Sequence, residues 1–362
     1  MATLPFKVSY TGCLSLLQPE IELWIGPMQS TFERHVVAVP KGPLRWKTSA
    51  TSEGGAVEVA VLIPCFNEEG AIGAVVEAFR DALPNARIYL YDNNSEDRTV
   101  AVGGAKGAIV RHEQMQGKGN VVRRMFADVE ADVYVLVDGD GTYDASDALR
   151  LISYLLEHHV DLVNGLRTGV HVRRGHQLGN EIFNRIVGWL FGSRFTDMLS
   201  GYKVLSRRFV KSFPALATGF EIKTELTVHA LQLRMPVAEL PTRYGPRIDG
   251  SASKLRTVRD GFKILWAIIT LIKRERPLAF FTAGCLGLIA LSLSLAAPLA
   301  VTFIETGLVP RLPTAVLAMG LMVLAFLSLA CGLVLDTVTR GRIEMKRLHY
   351  LNLPAAGESY VG

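Results

Sequence analysis

VYVLVDGDGTYD, residues 133–144, sets five apolar residues, mostly β-branched, directly ahead of Asp138 and Asp140. A short apolar run of this kind predicts a buried strand that ends at the two aspartates. Carboxylates one residue apart at a strand's C-terminal edge suit a hard divalent cation, which takes oxygen ligands and leaves room for phosphate oxygens. That edge of an open parallel sheet is also where α/β folds bind ligands. The run therefore predicts a metal-bridged phosphate site. In isolation an ordinary acidic strand-to-loop turn would read the same, so the surrounding chain has to decide.

On either side of this run, strand-type and helix-type patterns alternate. VEVAVLI (57–63), RIYLYD (87–92), AIVRH (108–112) and DLVNG (161–165) read as strands. Between them EEGAIGAVVEAFRDAL (68–83), a segment from SEDRTVAV (95–102), GKGNVVRRMFADVE (117–130) and SDALRLISYLLEHH (146–159) read as amphipathic helices. This alternation predicts an α/β fold with a doubly wound, mainly parallel sheet. Beyond residue 170 helices and loops take over: GNEIFNRIVGWLFG (179–192) and FEIKTELTVHALQLR (220–234) read as helices, and only PVAELPTRY (236–244) as a strand.

The 362 residues are ample for a large core. Their net charge of +5 and 49% hydrophobic content conceal a segregation. Residues 278–304 and 312–335 carry no charge at all. Each is long enough to cross a hydrocarbon layer of about 30 Å as a helix. Lys254, Arg256, Arg259, Lys263, Lys273, Arg274 and Arg276 precede the first run, and Arg340, Arg342, Lys346 and Arg347 follow the second. The connection between them, ETGLVPR, holds only Arg311 as a cation. The positive-inside rule puts both ends in the cytoplasm. The basic balance thus suits lipid headgroups and phosphate ligands. Nucleic acid is a poor fit, because no basic stretch carries the interleaved aromatics of a nucleic-acid module. The cysteines, Cys13, Cys65, Cys285 and Cys331, lack disulfide or metal spacing and suit a reducing compartment. The predicted organisation is a poorly ordered arm (1–56) without a signal peptide, a catalytic domain (57–254), an amphipathic juxtamembrane helix (255–277), two transmembrane helices (278–340) and a cytoplasmic tail (341–362).

Three strand ends carry polar residues, as a shared crevice requires. They are IPCFNEE (63–69), YDNNSEDRT (91–99) and the Asp-Gly-Asp itself. Asp92 at a strand end suits a ribose or base edge. Asp97, two residues before Thr99, reads better as a helix start. QGKGN (116–120) opens a helix with two glycines around Lys118, and amides at a helix N-terminus beside a lysine suit a phosphate.

Taken in order, IPCFNEE, the D-N-N-S-x-D-x-T run, GKGN, DGD and SGYKVLSR (200–207) resemble family-two glycosyltransferases of the GT-A fold. More narrowly the chain resembles polyprenyl-phosphate glycosyltransferases, the group of dolichol-phosphate mannose synthases and bacterial undecaprenyl-phosphate sugar transferases. The resemblance spans about residues 57–275, and many members also end in a two-helix hairpin. It implies that Pro64, Phe66, Glu68, Asp92 and Asn94 hold a nucleoside, with Lys118 near its phosphates. Asp138 and Asp140 would bind Mg²⁺ or Mn²⁺. Relatives often read D-x-D-L-Q, whereas Thr142 stands here in place of the Gln, which leaves Thr142, Tyr143 and Asp144 as candidates for the metal's next ligand. TDMLSGYKVLSR (196–207) matches the acceptor-side segment, giving Asp197 and, in place of the usual Arg, Lys203. PRIDGSASK (246–254) matches an R-x-x-G-x-S-K element, giving Arg247, Ser253 and Lys254 as acceptor-phosphate contacts.

The implied activity is inverting transfer of a sugar from a nucleotide sugar, UDP-linked in preference to GDP-mannose, to a polyprenyl phosphate. Asp140, Asp197, Arg247 and Lys254 would serve the chemistry, in a multi-pass protein of a bacterial inner membrane with its catalytic domain cytoplasmic. Self-association into a homo-oligomer is left open. A phosphomonoester is already largely anionic at pH 7, so Asp197 is expected to orient the acceptor rather than act as an obligatory base. A processive polysaccharide synthase would need more spans and a Q-x-x-R-W motif. A non-catalytic scaffold would have lost Asp138, Asp140, Asp92 and Glu68.

Overall fold

The structure is a computed structural model that describes residues 57–168, 188, 196–219, 221–246 and 269–354. Strands β1 (Val59–Cys65), β2 (Arg87–Asp92), β3 (Ile109–His112) and β4 (Val133–Leu136) alternate with helices α1 (Glu69–Ala82), α2 (Thr99–Ala105) and α3 (Lys118–Asp128). Helix α4 (Asp147–Glu157) leads to β5 (Leu162–Thr168), and β6 (Lys203–Ser206) runs into the short α5 (Arg207–Ser212). Helix α6 (Ile222–Gln232) and strand β7 (Val237–Arg243) complete this part. The strands form one seven-stranded sheet in the order β3-β2-β1-β4-β6-β5-β7. Every pairing is parallel except those of β6, which is antiparallel to both β4 and β5.

The two-residue period of the strands explains why helices cover both faces. Ala60 and Leu62 of β1 point with Tyr89, Tyr91, Tyr134 and Leu136 toward α3, α5 and α6. The intervening Val61 and Ile63 point with Leu90, Val133 and Val135 toward α1 and α4. Strands buried on both faces read as unbroken apolar runs, which is why 133–137 stood out. Each fully buried Leu, Ile or Phe contributes about 1.5–3 kcal/mol.

Strand β6 departs from the sequence expectation of helices and loops in this region. It is four residues long and opens with a lysine, so it carries neither alternation nor a sustained apolar run. Its reversed direction matters for the site. It pairs Lys203 with Leu136 on one side and Asn164 on the other, so its N-terminal end lies at the edge where the parallel strands finish.

Two apolar helices follow, α7 (Pro277–Thr306) and α8 (Leu312–Leu351), each long and apolar enough to cross a membrane. They pack antiparallel: the Ser292 hydroxyl donates to the Ala318 carbonyl at 2.7 Å, and that of Ser328 donates to Phe281 at 3.1 Å. Residues 341–351 are not the separate tail expected from sequence, because α8 continues through them. Their apolar positions, Ile343 and Tyr350, pack against the sheet domain's core, as do Leu271 and Ile272 of the helical residues 269–275. The rest of the expected 255–277 helix up to residue 268, the 1–56 arm and most of the 179–192 helix lie outside the described residues.

The end of α8 is bonded as well as packed. Tyr350 donates its hydroxyl to Asp161 at 2.7 Å. Asp161 is buried, and it also accepts from the Ser206 hydroxyl at 2.6 Å and from Arg208 at 2.5 and 2.9 Å. The Arg208 guanidinium lies 5.0 Å over the Tyr350 ring. His349 reaches the Lys211 carbonyl at 3.2 Å, and Lys346 donates to Gln232 at 3.2 Å.

Candidate active site

The register of the parallel strands aligns Cys65 with Asp92 and Asp92 with His112, so the loops after β1, β2, β3 and β4 gather at one edge. The first two loops are stitched together. Asn67 donates its amide to the Ser95 hydroxyl at 2.9 Å, its side-chain oxygen accepts from Glu96 N at 2.8 Å, and Glu68 N donates to Thr99 Oγ1 at 2.8 Å. Asp97 accepts from Thr99 N at 2.9 Å and Glu69 N at 3.1 Å. It is the helix-start residue its spacing predicted. Asp92 is buried and accepts from Ser95 N at 3.2 Å, with His112 Nδ1 at 3.4 Å. The carboxylate assigned to a nucleoside thus braces its own loop. Asn94 likewise donates to Gln114 O at 2.8 Å and to Gln116 at 3.1 Å, holding the segment before α3. Pro64, Phe66 and Glu68 are partly exposed beside them.

The GKGN turn is built differently from the expectation. Gly117 N donates to the Asn93 side chain at 2.7 Å, while Gly119 N and Asn120 N donate to the Thr218 carbonyl at 3.0 and 3.3 Å. These three amides are committed to the protein and form no phosphate cradle, while the Lys118 ammonium is turned toward Asp138. The glycine at 119 answers to close approach, since a Cβ there would meet the Ala217 carbonyl oxygen at 2.1 Å.

Asp138 leaves β4 with its carboxylate between two ammoniums. Lys118 bonds Oδ1, and Lys223, from the first turn of α6, bonds Oδ2 at 2.9 Å. Burial alone would raise the Asp138 carboxyl, but these two charges hold it well below the usual carboxylate range. Asp140 is buried and accepts from Thr142 N at 3.2 Å and Thr142 Oγ1 at 2.6 Å. The Thr142 proton is therefore spent on orienting Asp140. Tyr143 is buried too, and its hydroxyl accepts from Gly201 N at 2.7 Å. Asp144 accepts from Ser146 N at 2.9 Å. Hard carboxylate oxygens, those of Asp138 each already holding one ammonium, fit Mg²⁺ or Mn²⁺. Among the described residues no set of three His, Cys, Asp or Glu side chains forms there, so water and phosphate oxygens would fill the remaining positions.

Asp197 lies at the same edge, held by Arg167 in a bidentate pair at 2.6 and 2.8 Å. Burial would raise this carboxyl, but the bonds and charge of Arg167, aided by Lys203, keep it lowered. A carboxylate so held orients; it is a poor proton acceptor. Arg167 also lies 5.5 Å over the Tyr244 ring, whose neighbour is Tyr143, with ring centroids 5.2 Å apart. A continuous run of contacts thus links Asp197 to Gly201 and the Asp138 loop. Lys203 departs from its expected role. It is 1% exposed, and its ammonium donates inward to Asn164 Oδ1 at 2.5 Å, while Asn164 donates to the Asp197 carbonyl at 2.8 Å. Burial pushes the Lys203 ammonium down to about 7. It supports Asp197 from the interior, and no phosphate reaches it in this arrangement.

Glycosyltransferase AglJ of Haloferax volcanii is 31% identical over 299 residues, covering 81% of this chain and 98% of that protein. The family model described as glycosyl transferase family 2 matches residues 60–210. The chain belongs to glycosyl transferase family 2. Another Haloferax volcanii relative, dolichyl-phosphate hexose transferase, is 27% identical over 224 residues, 60% of this chain and 96% of its own. Among solved structures, glucosyl-3-phosphoglycerate synthase from Mycobacterium tuberculosis superposes with a TM-score of 0.51 at 22% identity, over 61% of this chain and 80% of that one. That likeness shows the GT-A-like fold; the synthase structure itself contains Mn²⁺, uridine diphosphate and glucosyl-3-phosphoglycerate.

For this glycosyltransferase, sequence reading proposed Asp138, Asp140, Lys118 and Asp197, and the structure brings the first three together with Asp197 nearby through Tyr143. It missed Lys223, Arg167, Asn164 and Glu239. Lys223 had a usable signal, since it lies at the start of the 220–234 stretch that reads as a helix. Glu239 accepts from Thr196 N at 2.7 Å and from Asn164 at 2.9 Å, yet in sequence it is one acid within a strand. Arg247, Ser253 and Lys254 lie outside the described residues.

Proposed function

We propose that the enzyme transfers a sugar, with inversion, from a UDP-sugar to the phosphate of a polyprenyl phosphate at the cytoplasmic face of a membrane. One observation carries the lipid acceptor: α8 runs unbroken from an apolar segment to Tyr350, which is bonded to Asp161 of the catalytic domain. A catalytic domain so attached works within one helix length of the apolar spans, where a lipid's phosphate resides. The relative named dolichyl-phosphate hexose transferase supports the same acceptor class.

In this reading Pro64, Phe66 and Glu68 line the nucleoside pocket that Asp92 and Asn94 organise. Asp138 and Asp140 hold Mg²⁺ or Mn²⁺, whose role when bound is Lewis-acid stabilisation of the departing diphosphate. Lys118 adds a point charge to the same phosphates. Asp197, fixed by Arg167, orients the acceptor, whose phosphate needs little deprotonation at pH 7. Arg247, Ser253 and Lys254 neutralise that phosphate as two polyanions approach.

A panel of UDP- and GDP-sugars, labelled in the sugar, should be offered with undecaprenyl phosphate in detergent and Mn²⁺. Label is expected in the organic phase with a UDP donor, and Asp140→Asn should abolish it. Transfer that survives in Asp140→Asn would remove the metal assignment; transfer to water or a soluble acceptor alone would remove the lipid. Lys254→Ala should raise the acceptor concentration required more than the donor concentration.

A further inference from the structure

Two helices deliver an ammonium each to a single carboxylate. Lys118 opens α3 and Lys223 lies in the first turn of α6, and both bond Asp138. The three side chains are 11%, 17% and 19% exposed respectively. One ammonium suffices to pair a buried carboxylate, so the second is surplus to the needs of Asp138. With Asp140 in the same site the four formal charges cancel.

We infer that Lys223, with Lys118, is the counter-cation Asp138 keeps in the absence of metal, and that it becomes a diphosphate contact once a divalent cation takes its place. This rests on the nucleotide-sugar reading above. A divalent cation on Asp138 leaves the site with two excess positive charges and repels both ammoniums. The diphosphate of a nucleotide sugar, carrying two negative charges, restores neutrality. A lysine side chain is a flexible point charge suited to that exchange.

The backbone is arranged so that only the side chains need to move. Glu225 of α6 accepts from Leu216 N at 3.2 Å and Ala217 N at 2.7 Å. The adjacent Thr218 carbonyl receives the first amides of α3. The helix origins of the two lysines are therefore braced against each other. Metal and diphosphate then bind with positive coupling, and the coupling is reciprocal.

The test uses the full-length protein in detergent with two probes: Mn²⁺ alone, followed by electron paramagnetic resonance, and UDP at saturating Mn²⁺, followed by calorimetry. In Lys223→Met the affinity for Mn²⁺ alone should rise about tenfold, and that for UDP should fall by about the same factor. These opposite signs separate exchange from simple damage, which lowers both. Lys223→Gln serves if the Met variant does not fold. If the wild type binds no UDP with Mn²⁺, the nucleotide-sugar reading falls and takes this inference with it. If the wild type binds UDP and the variant's affinity for Mn²⁺ alone is unchanged or lower, only the exchange is overturned. Unchanged UDP affinity overturns it equally.

Discussion

The Asp138 carboxylate rests on the α-carbon of Gly201: a Cβ there would meet Oδ2 at 2.2 Å and Cγ at 2.5 Å. The S-G-Y-K segment thus reaches the metal-side carboxylate through a missing side chain. Gly201→Ala should push Asp138 out of place while leaving the buried sheet intact. Misplacement by about 1 Å typically costs on the order of 100-fold in rate. Metal-dependent transfer should fall by that order with an unchanged circular dichroism spectrum. Wild-type activity in Gly201→Ala would show that Asp138 tolerates displacement.

The short bond from Thr142 to Asp140 orients a carboxylate that would hold the metal. Outer partners of metal ligands typically carry 10–100-fold in metal affinity or activity, roughly speaking. Thr142→Val keeps the shape and removes the hydroxyl. Its Mn²⁺ requirement for transfer should shift upward by about that range, with maximal rate at saturating Mn²⁺ much less affected. An unshifted Mn²⁺ titration would leave Thr142 with packing alone.

Lys203 makes stability depend on pH in a defined direction. Its ammonium titrates at about 7 in the folded protein against an ordinary value of 10.5. Between those values the unfolded chain holds a proton that the folded chain has released, so stability rises with pH across that window, by up to about 1.4 kcal/mol per pH unit. Below the window both states are protonated and the slope vanishes. The wild type should therefore gain thermal stability relative to Lys203→Met as pH goes from 7 to 9, measured by thermal shift in detergent. A constant difference would place the Lys203 titration elsewhere.

Tyr350→Phe removes one hydrogen bond to a buried, charged acceptor, worth about 1.5–3 kcal/mol. Hydrogen exchange of residues 342–351 should accelerate while exchange of β1 and β4 stays as in the wild type. Uniform acceleration would mean that the contact supports the whole domain rather than the docking of α8.

The legible part of this chain was the part whose physics is local. Strands buried on both faces announce themselves as apolar runs, and Asp138 and Asp140 followed from the end of one. Asp97 was legible as a helix start because its partner, Thr99, is two residues away. What sequence reading missed depends on pairing across long separations. Strand β6 is defined by β4 and β5 rather than by its own four residues. Lys203 looked like an available cation until Asn164, 39 residues away, claimed it. The glycines of GKGN suggested a phosphate cradle, whereas the Thr218 carbonyl occupies it. Lys223 joined Asp138 across 85 positions, a distance no local pattern spans.

The unbroken course of α8 couples rotation to depth. Adding one residue between its apolar stretch and Tyr350 would turn the docking face by about 100° and advance it by about 1.5 Å, pointing Tyr350 away from Asp161. Adding seven would restore its heading to within about 20° while raising the domain about 10 Å along the helix axis. The segment therefore behaves like a screw thread, in which single-residue insertions strip the joint and whole-heptad insertions preserve it at a new height. Its length is a heritable setting of how far the sheet edge stands from the apolar spans.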